Sequence, residues 1–303
     1  MTGSIWDDIR FKVIHSNNSL IHLIAINVAA FLITAIPVGA TIFFGRQTFI
    51  DTYGTFADWM FLPGSFEKLL SRPWTLVTHF FLHSFSLFHI LFNMLWLWWF
   101  GRIYHDLMGN RRTVELYIFA GLFAGLSYML AANISPILSP MTSLVGASGA
   151  VSGFIIAAAT LAPHFQVRML FIGNVKIWYI AAFAMIINFL PETFRNLGGG
   201  VAHLAGGLAG YLFVTQLKKG RDLGSWISWV LAFFQSFFKP KPKSKFKVHQ
   251  NTSGSRGRAT ASTGSNVSQA EVDAILDKIS KSGYDSLSAR EREILFRASD
   301  KES

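Results

Sequence analysis

"SLVGASGAVSGF", residues 143–154, sets Ser148 between glycines inside a stretch, Leu116 to Val167, that contains no Asp, Glu, Lys or Arg. A membrane-crossing helix needs about 20 mostly apolar residues, so this run is too long for one helix and too apolar for a water-facing domain. "NISPILSPMTS", residues 133–143, divides it with two prolines and four Ser or Thr. The division predicts one span over about 113–133 and another over about 148–163. Ser148 then opens a helix, and two readings of it compete. Gly149 and Gly153 have the small-xxx-small spacing of tight helix contacts in lipid, which makes Ser148 one more small residue. Alternatively, the free backbone N–H groups and positive dipole end of a first helical turn would stabilise an oxyanion beside a nucleophilic serine.

The rest of the chain agrees with lipid as the solvent. Of 303 residues, 51% are hydrophobic and only 15% charged, against about 25% charged in a soluble domain. Further uncharged runs predict spans over about 21–44, 86–106, 175–190 and 200–217, giving six in a domain over 21–217. Residues 1–20 form a polar N-terminal segment and 45–78 a long amphipathic loop. The absence of cysteine excludes a disulfide framework, a thiol nucleophile and thiolate metal sites.

Six spans put both termini on one side. Arg10, Lys12, Arg102, Arg111, Arg112, Arg168, Lys218, Lys219 and Arg221 cluster in the segments that this topology makes cytoplasmic. The net charge of +10 is concentrated in a Lys/Ser/Thr/Gly-rich tail, 239–266. That composition reads as a disordered linker near an anionic surface more than as a nucleic-acid reader. Before it, 223–238 reads as an interfacial amphipathic helix. After it, Ser268 with Glu271 and Ser288 with Glu291 form two S-x-x-E capping boxes. They predict a small cytosolic helical hairpin, 267–303, for docking or regulation, with a partner the sequence does not identify. No organelle-targeting segment is visible, and a bacterial plasma membrane is expected.

Polar residues at membrane depth are costly and mark functional candidates. His203 lies in "AHLAGGLAGY" with Gly206 and Gly210 on roughly its own face, where a helix-to-helix hydrogen bond is the competing role. His89 and Asn93 are an i, i+4 pair in "FHILFNMLWLWW"; both can donate to a negative oxygen, or join helices as a polar pair. His79 and His83 repeat the i, i+4 spacing. It is compatible with a metal or haem, but no acidic residue lies nearby to complete a site, and both are expected at the wet outer boundary.

Together these residues have the parts of a serine peptidase: Ser148 as nucleophile, His203 as base, and His89, Asn93 and the Ser148 N–H as oxyanion donors. The acids between residues 50 and 203 all fall in loops or at span ends, so a Ser–His dyad is expected rather than a triad. All four side chains lie in the first two turns of spans that enter from the outer face.

"HILFNMLWLWWFG", "GASGA" and "AHLAGGLAG", in this order and spacing, resemble the motifs of the rhomboid family of intramembrane serine proteases. The resemblance covers about residues 70–217. It implies an all-α six-transmembrane-helix bundle that cleaves transmembrane proteins within or beside their spans, without cofactor or metal. By resemblance Ser148 matches the nucleophile, His203 the base, His89 and Asn93 the oxyanion side chains, and Gly146 the glycine before the nucleophile. Two positions depart from the pattern. Trp74 is followed by Thr75, with Arg72 upstream, where the family often has Trp-Arg. Ser152 stands where a tyrosine often packs against the histidine. The alternatives are an inactive relative that binds transmembrane clients and a transporter with a polar midplane. The chain keeps the serine and histidine that the first would lose, and lacks the clear repeat that the second requires.

Overall fold

The computed structural model describes residues 16–135, 138, 142–169, 172–238 and 269–299. The expected segment before residue 16, the linker 239–266 and Ser268 of the first capping box lie outside the described residues. Two units, 1–241 and 242–303, are compact in themselves.

In the first unit, α1 spans Ser19–Ala40 and runs into a 3-10 turn at Thr41–Phe44. Asn18 starts it, its side-chain oxygen accepting the Leu20 and Ile21 N–H groups at 3.0 and 3.2 Å. The segment expected as a loop contains helices α2 (Arg46–Met60), α3 (Phe66–Ser71) and α4 (Thr75–Thr78) and the two-residue strand β1, Leu62–Pro63. α5 covers Leu87–Ile134, but Gly109 breaks it at φ 76°. His105 Nδ1 and Thr113 Oγ1 are 3.0 Å apart, whereas a straight helix would hold residues eight apart by about 12 Å. The chain therefore reverses at Gly109, and residues 87–108 and 110–134 form two arms. The short polar loop expected between the spans 86–106 and 113–133 is almost wholly helical, because one glycine with a positive φ suffices for the turn.

Strand β2 (Ser143–Leu144) pairs with β1, followed by α6 (Ser148–Leu161). A hairpin of β3 (Gln166–Met169) and β4 (Gly173–Lys176) replaces the loop expected after the fourth span. α7 (Ile177–Arg195), α8 (Leu197–Lys218) and α9 (Ser225–Phe238) complete the unit. In the second unit, α10 (Gln269–Ser282) and α11 (Ala289–Ser299) contact each other. Ser288 and Glu291 form the predicted reciprocal cap, with Ser288 N–H donating to the carboxylate at 2.7 Å.

Among the described residues, three helical segments, 19–44, 87–134 and 197–218, are long and apolar enough to cross a membrane; 148–161 and 177–187 are shorter apolar helices. Large apolar side chains face outward on them, among them Ile33, Ile36, Leu91, Leu95, Phe183 and Leu208. Exposed apolar surface on this scale fits lipid rather than water.

α6 is the centre of the unit. A Cβ on Gly206 would run into the Gly149 carbonyl oxygen, and one on Gly210 into that of Gly153. On its other flank, a Cβ on Gly149 or Gly153 would stand 2.5 Å from the Cβ of Ala124 or Ala120. α6 and α8 thus touch backbone to backbone, with the second arm of α5 equally close behind.

At one end of the bundle, Ser19 N–H donates to Asn110 Oδ1 at 2.8 Å, which ties the start of α1 to the Gly109 turn. Glu115, fully buried, accepts from Arg111 at 2.8 Å, Arg112 at 2.7 Å and Ser228 of α9 at 2.5 Å. Arg112 also holds Asp222 at 2.6 Å. The start of α1, the Gly109 turn and the start of α9 therefore share one end.

Candidate active site

Three helix starts converge at the other end. Ser86 caps α5, its hydroxyl accepting the His89 N–H at 3.4 Å; His89 then falls in the first turn and Asn93 one turn on. Asn196 caps α8 by accepting the Gly199 N–H at 3.2 Å, and His203 follows in the second turn. α6 begins at Ser148, after Ala147, which has no side chain able to cap. The first-turn N–H groups of α6 are left for another acceptor.

These starts surround a cavity of about 790 Å³. Ser148, His203, His89 and Asn93 all line it, with Ser84, Ser86, Ser143, Ser152, Trp96 and Asn196 among the other walls. The four predicted side chains line one cavity; of the predicted supporting glycines, Gly146 adjoins His89 and Ser148, while Gly149, Gly206 and Gly210 lie in the contact between α6 and α8. No Asp or Glu is among the described lining residues.

Distances around Gly146 define the polar corner. Gly146 has φ 128°, and the point where a Cβ would stand is 3.1 Å from His89 Nε2 and 3.6 Å from Ser148 Oγ. An atom at that point touches both residues. A side chain there would be strained and would displace the imidazole. His89 Nδ1 is 2.6 Å from Ser84 Oγ. Asn93 Nδ2 donates to the His89 carbonyl at 2.8 Å, which spends one of its two amide hydrogens. His203 is buried. Its neighbour Ala202 has its carbonyl oxygen 3.5 Å from where a Cβ of Gly149 would be, so His203 and Ser148 each adjoin a residue of the backbone contact. Ser152 is buried and lines the same cavity.

The loop before α5 builds the rear wall. His79 and His83 are buried, not at a wet boundary. The His79 ring lies over Gly125, where a Cβ would be 2.7 Å away, and Phe80 lies over Gly121 in the same manner. His79 Nδ1–H donates to the Thr75 carbonyl at 3.0 Å. Burial pushes His79 down to about 4, so the ring is neutral at pH 7. Its carbonyl accepts the Gly146 N–H at 2.8 Å. The His83 ring stands edge-on to that of His89, 5.5 Å between centroids.

Arg72 supplies a cation to the loop from a position upstream of Trp74. Its guanidinium sits 4.6 Å from the Trp59 ring centre and 2.6 Å from Asp58. That hydrogen-bonded pairing holds the Asp58 carboxyl below the usual range.

Ser84 and the His79–Gly146 link are absent from the sequence reading. Neither has a helical period to reveal it, since Ser84 and both His79 and Gly146 lie outside helices; the only hint of Ser84 is a hydroxyl five residues before His89.

The family model described as Rhomboid domain matches residues 70–219. A second, described as a family of unknown function (DUF6576), matches residues 265–301. Similar curated proteins include Rhomboid protease GlpG of Yersinia pseudotuberculosis serotype I (strain IP32953), 29% identical over 145 residues, covering 47% of this chain and 49% of the relative. Rhomboid protease GlpG of Yersinia enterocolitica serotype O:8 / biotype 1B (strain NCTC 13174 / 8081) is 28% identical over 149 residues, covering 48% and 51%. The chain spans about half the length of the curated relatives it matches.

Proposed function

The chain is an integral membrane protein of the rhomboid family, and from that premise we propose that it is an intramembrane serine endopeptidase acting on transmembrane proteins. The observation that carries this reading is the single cavity lined by Ser148, His203, His89 and Asn93.

Ser148 Oγ attacks the scissile carbonyl carbon, and His203 takes the hydroxyl proton. The oxyanion that forms is held by the Ser148 backbone N–H, the His89 ring N–H and the Asn93 amide. Collapse breaks the C–N bond, and His203 returns the proton to the departing amine. Water, deprotonated by His203, then hydrolyses the Ser148 ester. No carboxylate lies in the described cavity wall, and the reading is a dyad.

Six spans with both termini cytoplasmic accompany this reading, the two arms of α5 counting as separate spans. It is supported by the placement of the α1 start, the Gly109 turn and the α9 start at the end opposite the cavity. The cavity then opens to the outer face of a bacterial plasma membrane. α6 has 14 residues, about 21 Å of helix in a hydrocarbon layer of about 30 Å. Its short length favours a Ser148 recessed below the surface yet within reach of water. α9 follows as an interfacial helix, and the 267–303 module as a cytosolic docking or regulatory element with its own protein partner.

Wild type, Ser148→Ala and His203→Ala should be purified and assayed on a fluorescent transmembrane substrate. Cleavage by wild type alone is expected, with a serine-directed inhibitor labelling Ser148. Undiminished cleavage by Ser148→Ala would sink the mechanism; clients bound but uncut by wild type would mark an inactive, client-binding relative.

A further inference from the structure

We propose that Ser84 is a positioning residue that sets which nitrogen of His89 carries the proton, and so makes His89 an oxyanion donor. The proposal rests on His89 serving the oxyanion as described above.

A neutral imidazole has one N–H and one lone pair, and the hydrogen bond at one nitrogen decides what the other presents. For His89 that bond is to Ser84, with 2.6 Å between Nδ1 and the hydroxyl oxygen. If Nδ1 donated, Nε2 would present a lone pair in the corner beside Gly146, where His89 and Ser148 Oγ approach each other. An oxyanion forming beside Ser148 within reach of that nitrogen would be repelled. If Ser84 O–H donates, Nε2 keeps its hydrogen and directs it to the site. Among the described residues, His89 Nδ1 is the one partner of the Ser84 hydroxyl, so its proton has that acceptor.

The surroundings leave this task to Ser84. Ser86 fixes the His89 backbone through its N–H, and His83 meets the ring edge-on without a hydrogen bond. Ser84 is itself held by its carbonyl, which accepts the Ser86 N–H at 2.6 Å. A hydroxyl fixed at that distance orients the ring as well as its tautomer, as the outer partners of metal-bound histidines do.

The test uses full-length protein in proteoliposomes with a transmembrane peptide substrate. Ser84→Ala is expected to lower kcat about 10- to 100-fold, the range for removing an outer partner of a functional histidine, with KM unchanged. Ser84→Thr, which keeps the hydroxyl, should restore most of the rate. In a His89→Ala background, Ser84→Ala should cost nothing more, because the group it acts on is gone. Imidazole ¹⁵N spectra, with His89 assigned by difference from His89→Ala, should show a protonated Nε2 in wild type and a mixture of tautomers in Ser84→Ala. Wild-type kcat in Ser84→Ala, an equal loss with and without His89, or an unchanged spectrum overturns the proposal alone. Wild-type kcat in His89→Ala overturns the oxyanion reading beneath it. Serine-probe labelling that survives Ser148→Ala and vanishes in Ser84→Ala would make Ser84 the nucleophile with His89 as its base, and would overturn both.

Discussion

Gly146 gives its backbone N–H to the carbonyl of His79 at 2.8 Å, so the glycine two residues before Ser148 is held by a loop from far upstream. That loop is seated by the His79 ring over Gly125. The shape of the cavity corner thus depends on a buried histidine that has no part in the proposed reaction.

This histidine gives the fold a pH dependence. Burial lowers His79 to about 4 from 6.5. Between these values the unfolded chain binds a proton that the folded one refuses, so stability is full above about 6.5 and is lost as pH falls toward 4. The loss is up to roughly 3 kcal/mol. His83, lowered to about 3 chiefly by burial, acts with the same sign. Melting temperature in detergent between pH 7 and 4 should fall less steeply in His79→Asn, which keeps a donor near the Nδ1 position and does not titrate there. Equal slopes would remove His79 from this role.

Gly206→Ala should cost both activity and stability. Its methyl would meet the Gly149 carbonyl oxygen, and relief requires α6 and α8 to part. Overpacking of this kind costs about 1–3 kcal/mol, and substrate turnover should fall with the melting temperature. Gly54→Ala, where no atom lies within 4 Å, is the control and should retain both.

His89→Ala and Asn93→Ala should each lower kcat by roughly 10²-fold or more while changing KM little, as for the loss of one transition-state hydrogen bond. Steady-state kinetics separates the two parameters. An effect confined to KM would make these residues substrate binders.

Glu115→Ala should release α9. The carboxylate is buried and holds Arg111, Arg112 and Ser228 together. Both arginines reach solvent, Arg111 with 57% of its side chain exposed, so they can rehydrate. The expected loss is about 1–3 kcal/mol, the cost of removing one partner from a charged hydrogen-bond set. Faster proteolysis at the Leu217–Ser225 connection, with turnover preserved, would check it; unchanged proteolysis would show that α9 is held elsewhere.

Much of the bundle was legible because the solvent changes the alphabet. Charges vanish where lipid replaces water, so the uncharged runs marked the helices; the caps Asn18, Ser86 and Asn196 came only with the structure. The candidate site was legible because four polar residues fell at like depths in such runs. What escaped lies outside periodic structure. The two-residue strands β1 and β2 carry no alternation, and Gly109 turns the chain without the polar loop expected there. His79 and His83 looked destined for water because their spacing says nothing of Gly121 and Gly125, whose missing side chains make room for the rings of His79 and Phe80. Ser84 acts across a turn, where proximity has no sequence signature.

The backbone contact of α6 with α8 has a mechanical consequence. Between Gly149 and Gly206, and between Gly153 and Gly210, no side chain intervenes. The separation of the two helices is therefore a sum of atomic radii, not the outcome of rotamer choice. Side chains can hop and lipids can rearrange around the bundle without altering it. The walls that carry Ser148 and His203 are held in gauge by a part that has no moving joints.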